Sequence, residues 1–399
     1  MKKNERGAAM VTGIICEFNP FHKGHQYLLR RAREHGAETV VCAMSGNFVQ
    51  RGDFAVADKF ARAEMAVRCG ADLVLELPTP WAMAGAETFA KGGVELLIKA
   101  GCDVLAFGSE CGDLAALQAV AEGVAAPDFM DAVRAELSRG VTFAAARQAA
   151  LQKRIGDKAA LLEHPNNTLA VEYLKAIAAQ RVDITPYTIP RIGAAHDGEA
   201  VGEHASAAYL RELLKGGKMK EVCDFLPPAA AEVLRRESES GRLVDITNCE
   251  TAILSYLRRL REEDFAPYDG GGEGLYHRLY DAVRQSSTWE ELLFRAKTKR
   301  YPLARLRRMA LSAYLELRSV PAEIPYLRVL AANGQGRAHL RKLRDEGAPV
   351  LTKAADVAAL GGAAEELFRA EAKRTDLYVL ARQTPGEPDT EWRTTPAML

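Results

Sequence analysis

Five short apolar runs alternate with stretches of helical period over the first 190 residues of this 399-residue chain, and this alternation restricts the fold more than any other feature. The runs are Met10–Cys16, Thr39–Met44, Leu73–Leu77, Val104–Phe107 and Ile184–Ile189. Between them lie helix-period segments at His25–Glu34, Val56–Cys69, Ala86–Lys99, Leu114–Ala121 and Thr168–Ala179. Alternating strand and helix implies a parallel sheet with helices on both faces, so the expected fold is α/β and Rossmann-like. In such sheets ligands bind at the carboxyl ends of the strands, near the point where strand order reverses.

Beyond roughly residue 215 the strand signals fade. Helical patterns take over at Ala229–Ser238, Thr251–Arg261, Trp289–Arg295, Leu303–Leu317 and Ala363–Ala372. The expected organisation is a ligand-binding domain at 1–215 followed by a mostly α-helical C-terminal domain at 216–399. The run Asp269–Gly274 reads as a flexible loop, without the preceding strand and following Lys of a phosphate cradle. The tail from Gln383, with its Pro and Thr clusters, is expected to fray.

Composition narrows the function classes. Lys plus Arg and Asp plus Glu number 53 each, so any nucleic-acid surface must be local. The seven cysteines form no Cys-x-x-Cys pair, and several fall in apolar runs, which suits reduced thiols better than disulfides. No metal site is expected from them. The apolar run after the charged N-terminus is too short and interrupted for a signal peptide, and no stretch approaches a membrane span. A soluble, cytoplasmic protein is expected.

The first run leads into Gly13-Ile14-Ile15-Cys16-Glu17-Phe18-Asn19-Pro20-Phe21-His22-Lys23-Gly24-His25. Asn19-Pro20 ends the strand with a turn, and an amphipathic helix opens at His25 with Tyr27, Leu28 and Leu29 on its apolar face. Two imidazoles flanking a glycine at a helix start suit a phosphate: free backbone N–H groups and the helix dipole favour an anion, and imidazole adds donors. A lone His-x-Gly-His is equally compatible with an ordinary strand–helix turn.

Further groups fall at the same sheet edge. Met44–Asp53 packs Ser45, Asn47, Gln50 and Arg51 into a glycine-broken loop after the second strand. The charges of Asp58–Glu64 then read as the wet face of a helix. Phe107-Gly108-Ser109-Glu110 ends the fourth strand, where a glycine lets a flat ligand approach, or simply makes a turn. His164-Pro165-Asn166-Asn167 starts a helix with Asn at the cap, leaving the other Asn for a ligand. Arg191 follows the fifth strand. Ser206 caps a helix on which Arg211 lies more than one turn along, a second anion site suited to the β- and γ-phosphates of a nucleotide.

His-x-Gly-His after the first strand, with Ser and Arg at a distant helix start, resembles the HIGH-type nucleotidyltransferase superfamily. A closer resemblance is carried by Met-Ser-Gly-Asn-Phe-Val-Gln-Arg-Gly (44–52), Glu76-Leu77-Pro78, Phe107–Glu110, Asn166-Asn167-x-Leu-Ala-x-Glu-Tyr, Pro190-Arg191-Ile192 and Lys297-Thr298-Lys299-Arg300-Tyr301. Over most of its length the chain resembles the bacterial tRNA(Met) cytidine acetate ligase family, and the segment after about Leu360 adds little. One departure is Ala208, where that family usually has Thr. Tyr209 beside it is bulkier than the pattern, and Trp81–Glu87 is looser.

The resemblance implies that ATP and acetate, as substrates, form acetyl-adenylate and pyrophosphate. The acetyl group then passes to the N4 amine of the wobble cytidine of elongator tRNA(Met), giving N4-acetylcytidine. It implies ATP contacts along Ile15, Cys16, Glu17, Phe18, Asn19, Pro20, Phe21, His22, Lys23, Gly24, His25, Gln26, Tyr27 and Leu28. The catalytic His22 and His25 would lie on the phosphates. Gly108, Asn166 (with Asn167 as the competing choice), Arg191 and Ile192 carry over as nucleotide contacts, and Ser206 and Arg211 would hold the outer phosphates. Mg²⁺ is expected with ATP.

From Glu291 to Ala310 there are seven basic residues against one acid. Lys297, Lys299, Arg300, Arg305, Arg307 and Arg308 are the expected tRNA contacts, with Arg295 nearby and Tyr301 available for stacking. Two other readings compete: a small-molecule adenylyltransferase, against which the long helical half speaks, and a catalytically silent nucleotide- or RNA-binding protein, supported only by Ala208.

Overall fold

The computed structural model describes residues 10–141, 143–181, 183–192, 202–269, 274–299 and 301–399. In chain order its strands are β1 (Val11–Cys16), β2 (Thr39–Ser45), β3 (Phe48–Val49), β4 (Asp53–Phe54), β5 (Leu73–Leu77), β6 (Val104–Ser109), β7 (Thr185–Pro190), β8 (Leu327–Ala332), β9 (Val350–Leu351) and β10 (Ala397–Met398). The main sheet has the order β10-β8-β5-β2-β1-β6-β7, with β9 paired to β8. Every pairing in it is parallel except β5 with β8. The chain builds outward from β1 to β2 and β5, then returns to the other side of β1 to lay down β6 and β7. Strand order therefore reverses between β1 and β6, and the crevice beyond Cys16 and Ser109 is where a ligand site belongs.

The five expected strands all form, because β1, β2 and β5 are buried along their whole length and helices cover both sheet faces. One face packs on helices Ala86–Lys99, Leu114–Ala125 and Pro165–Gln180. The other packs on α1 (Lys23–Glu34), α2 (Lys59–Arg68), Ala207–Lys215 and Pro228–Glu239. A third core joins the helices Glu250–Arg259, Leu275–Gln285, Trp289–Ala296 and Leu303–Tyr314 to Phe48 and Phe54 of the small β3–β4 hairpin. Those two rings meet edge to face, 4.9 Å apart, so the hairpin is seated on the helical unit and not loose in solvent.

The segment beyond residue 216 is mostly helical, as expected, and it also supplies strands: β8 enters the main sheet antiparallel to β5, and β10 extends it. The run Leu327–Ala332 escapes a sequence reading because Arg328 interrupts its apolar residues, yet Arg328 is fully buried. One expectation about this half is corrected: the tail does not fray. Thr390–Arg393 is helical, and Glu391, 1% exposed, accepts from Arg328 at 3.1 Å and from Lys59 at 2.6 Å. The glycine run 270–273 lies outside the described residues. All seven cysteines are free thiols, and among the described residues no helix is long and apolar enough to cross a membrane.

Candidate active site

β1 delivers the chain to the switch point, where Phe18 adopts φ +46° and the Asn19–Pro20 bond is cis. Phe18 and Phe21 are buried and touch edge to face, 4.8 Å apart, anchoring the turn in the core. Asn19 is also buried: its Oδ1 accepts from Val56 N–H at 2.8 Å and its carbonyl accepts from the Arg211 guanidinium at 2.9 Å. Arg211 thus clamps the turn from a helix whose Ser206 Oγ caps the N–H of Tyr209 at 3.1 Å. Of the expected Ser206–Arg211 pair, Arg211 is brought to the β1 turn, nearly two hundred residues away in sequence.

His22 is the N-cap of α1, which starts at Lys23 and not at His25. Its Nδ1 accepts from Gly24 N–H at 3.1 Å, while His25 Nδ1 accepts from His22 N–H at 3.2 Å. The imidazoles stack with centroids 3.7 Å apart. This corrects one expectation: the first backbone N–H groups of the helix are not free for an anion, since Lys23 N–H donates to Phe225 and His25 N–H to the His22 carbonyl. The ring geometry supplies the donors instead. With each Nδ1 lone pair engaged, a neutral imidazole carries its proton on Nε2 and can only donate from it. Burial, reinforced by Arg191 and His204, pushes His22 down to about 3, and burial with the neighbouring His22 pushes His25 well below its ordinary value. At neutral pH the pair is two N–H donors without net charge.

Across the switch point, β6 ends at Gly108 and Ser109. A Cβ on Gly108 would sit 3.3 Å from Cγ of Arg191, whose stem lies over the glycine. Arg191 N–H donates to the Ser109 carbonyl at 3.0 Å and its guanidinium reaches Asn166 Oδ1 at 3.4 Å. Ile192 beside it is exposed.

The structure separates the two asparagines. His164, not Asn, is the N-cap of Pro165–Gln180, and it makes no side-chain cap bond. The Glu110 carboxylate caps this helix from outside, accepting the N–H of Asn166 at 3.1 Å and of Asn167 at 2.7 Å. Asn167 is fully buried, its Oδ1 accepting from Glu110 and Cys111 N–H, so it fixes the β6 exit. Asn166 is only partly buried and faces Arg191. Asn166 Nδ2 also donates to Glu110 Oε1 at 2.6 Å, whereas Asn167 Nδ2 is buried without a partner among the described residues.

The loop after β2 is built on charges that the sequence gives as a wet helix face, and that expectation is also corrected. Lys59 and Arg62 are both fully buried. Arg62 donates to the carbonyls of Ala57, Glu17, Ser45 and Gly46, tying the ends of β1 and β2 together. Lys59 bridges Glu76 at 2.7 Å and Glu391 at 2.6 Å, while Arg328 and Arg374 balance Glu391 and Glu371. Glu76, from the Glu-Leu-Pro signature, is therefore a structural counter-ion. Asn47 is structural too: Oδ1 accepts from Lys59 N–H, and Nδ2 donates to Thr375.

The same loop touches the basic segment. Gln50 N–H donates to Glu17 Oε1 at 2.7 Å, and the Gln50 carbonyl accepts from the Arg308 guanidinium at 3.0 Å. Arg307 lies 4.0 Å from Asp53, and Arg305 donates to the Asp269 carbonyl at 2.9 Å. Lys297 and Lys299 are exposed, and Arg300 lies outside the described residues. Tyr301 is buried under Arg305, so it is not available for stacking. The aromatic ring on this surface is Phe294, 83% exposed, which an apolar letter in a helix could not reveal.

A switch-point crevice lined by a His-x-Gly-His pair and an arginine defines the class, and the family model for HIGH Nucleotidyl Transferase matches residues 9–391. Relatives named tRNA(Met) cytidine acetate ligase narrow it further. That of Syntrophomonas wolfei is 34% identical over 94% of this chain and 96% of its own length. That of Syntrophotalea carbinolica is 39% identical over 84% and 82%. Two crystal structures of Thermotoga maritima TmcAL, one apo and one bound with alpha-thio ATP, superpose with TM-scores of 0.92 and 0.91, at 31% identity, covering 98% of this chain and 99% of theirs. This chain belongs to the tRNA(Met) cytidine acetate ligase family of HIGH nucleotidyltransferases.

Proposed function

We propose that the protein ligates acetate to the N4 amine of the wobble cytidine of elongator tRNA(Met), through acetyl-adenylate, releasing pyrophosphate and then AMP. The observation that carries this reading is near-full-length similarity to proteins bearing that name, one of them a structure bound with alpha-thio ATP. The chemistry needs positioned donors more than covalent help, because charge develops on phosphate oxygens as acetate attacks the α-phosphorus. His22 and His25 would supply Nε2 donors there. The turn from Ile15 to Leu28, with Gly108, Asn166, Arg191 and Ile192, would hold the nucleotide, and Ser206 and Arg211 its outer phosphates. Among the described residues no group of three His, Cys, Asp or Glu side chains could hold a metal. An accompanying Mg²⁺ would therefore rest chiefly on phosphate oxygens and water.

The division of labour follows the cores. The sheet and its crevice, mainly residues 1–215 with the returning β8 and β10, would bind ATP, and the helical unit within 216–399 would receive tRNA. Lys297 and Lys299 are exposed cations, as is the Glu291-paired Arg295; Arg305, Arg307 and Arg308 would bring phosphates toward the β3–β4 hairpin, with Arg300 in the same basic run. A cytoplasmic location suits that substrate. Incubation with ATP, radiolabelled acetate and elongator tRNA(Met) tests the reading: label in the tRNA is expected, and its absence beside an active homologue would refute it.

A further inference from the structure

We propose that Glu17 accepts the proton released by the cytidine N4 amine as it attacks acetyl-adenylate, an assignment that rests on the ligase reading above. Glu17 is the first residue past β1, next to Phe18 and the turn that carries His22. Its Oε1 accepts from Gln50 N–H at 2.7 Å, which fixes the carboxyl group between the nucleotide turn and the β3–β4 hairpin. Its Oε2 accepts no hydrogen bond from the described residues.

The other candidates around the crevice are committed. Both histidines use Nδ1 as an acceptor for a backbone N–H and retain only a donor. Both oxygens of Glu110 accept from the helix start at Asn166 and Asn167. Asp53 accepts from its neighbour Phe54 through Oδ1 and turns Oδ2 toward Arg307. Of these carboxylates Glu17 is the one with an open oxygen, and it lies on the hydrogen-bonded path from the nucleotide turn through Gln50 to Arg308.

The chemistry of the acceptor agrees. A cytosine N4 amine presents only donors, for which a carboxylate is the complementary partner. Burial raises Glu17, while Arg211, Arg62 and Arg51 oppose that shift, and a carboxylate moved toward neutral pH is a better general base. In the step, the amine nitrogen forms the new bond to the acetyl carbon. The bond from that carbon to the AMP phosphate oxygen breaks, its electron pair leaving with AMP. The amine proton passes to Oε2 and then to solvent.

The test separates the two half-reactions in Glu17→Gln, which keeps a side-chain oxygen for Gln50 N–H but loses the base. Acetate-dependent exchange of labelled pyrophosphate into ATP reads adenylation; labelled acetate in elongator tRNA(Met) reads transfer. Transfer is expected to fall about 10²–10⁴-fold further than exchange, and the acidic limb of the wild-type transfer pH profile should disappear. Glu17→Asp should recover part of the transfer. Equal loss of both reactions would make Glu17 a nucleotide contact and overturn the assignment, as would wild-type transfer by Glu17→Gln. Wild-type protein showing no acetate-dependent exchange would strike the ligase reading itself, and this assignment with it.

Discussion

The guanidinium of Arg308 donates to the backbone carbonyl of Gln50 at 3.0 Å, across more than 250 residues of sequence. Gln50 in turn donates its N–H to Glu17, so one peptide unit joins the basic helix Leu303–Tyr314 to the nucleotide turn. Gly52 tightens the junction: its φ is +72°, and a Cβ there would lie 2.5 Å from Arg308 N.

Arg308→Ala should therefore loosen the junction. The lost charged hydrogen bond corresponds to about 1.5–3 kcal/mol in urea unfolding. Acetyl transfer to tRNA should fall more than acetate-dependent exchange, because the nucleotide turn keeps its own core anchors. Equal losses in both assays, relative to wild type, would show that the contact only stabilises.

The histidine pair makes stability depend on pH. His22 titrates near 3 when folded against an ordinary value of 6.5, and His25 is shifted in the same direction. The unfolded chain therefore binds more protons below that ordinary value, so the stabilisation is complete above pH 6.5 and is lost as pH falls toward the folded values. Each imidazole should remove up to about 1.4 kcal/mol per pH unit in that window. Urea midpoints measured between pH 7.5 and 5 should show the slope, and His22→Asn, which can still cap α1, should reduce it to the share left by His25. The same variant should lose about 10²–10³-fold in pyrophosphate exchange, as for removal of one oxyanion donor.

Lys59 is the keystone of the buried charges, held between Glu76 and Glu391. Lys59→Met strands Glu76 in the core and leaves Glu391 with Arg328 as its counter-charge, and it should cost about 3–5 kcal/mol. Adding Glu76→Gln should restore part of it, since the stranded charge is gone. Chemical denaturation of the single and double variants checks this, and a single variant as stable as wild type would contradict it.

The asparagine pair should divide by assay. Asn167→Ala leaves the N–H groups of Glu110 and Cys111 without their acceptor and should destabilise by about 1–3 kcal/mol per unpaired group. Asn166→Ala loses one half-buried hydrogen bond to Glu110, should destabilise less than Asn167→Ala, and should raise the KM for ATP about tenfold, equivalent to about 1.4 kcal/mol of binding. The opposite pattern would exchange their roles.

Period and polarity alone determine the parallel sheet, its five leading strands and the place of the crevice, because fully apolar runs separated by helices have few other ways to be buried. The His-x-Gly-His turn, the Ser206 cap and the exit of β6 are legible for the same reason: they are local, set by a few neighbouring residues. Tertiary structure decided what depends on distant partners. Arg328 reads as a break in an apolar run until Glu391 neutralises it and lets β8 enter the sheet. Lys59 and Arg62 read as a solvated face until Glu76, Glu391 and four carbonyls surround them. Tyr301 reads as a stacking ring until Arg305 covers it. The tautomers of His22 and His25, which make them donors and not bases, follow from two backbone contacts. A charged side chain can enter a core only when its counter-charges arrive with it, and those came from residues tens to hundreds of positions away.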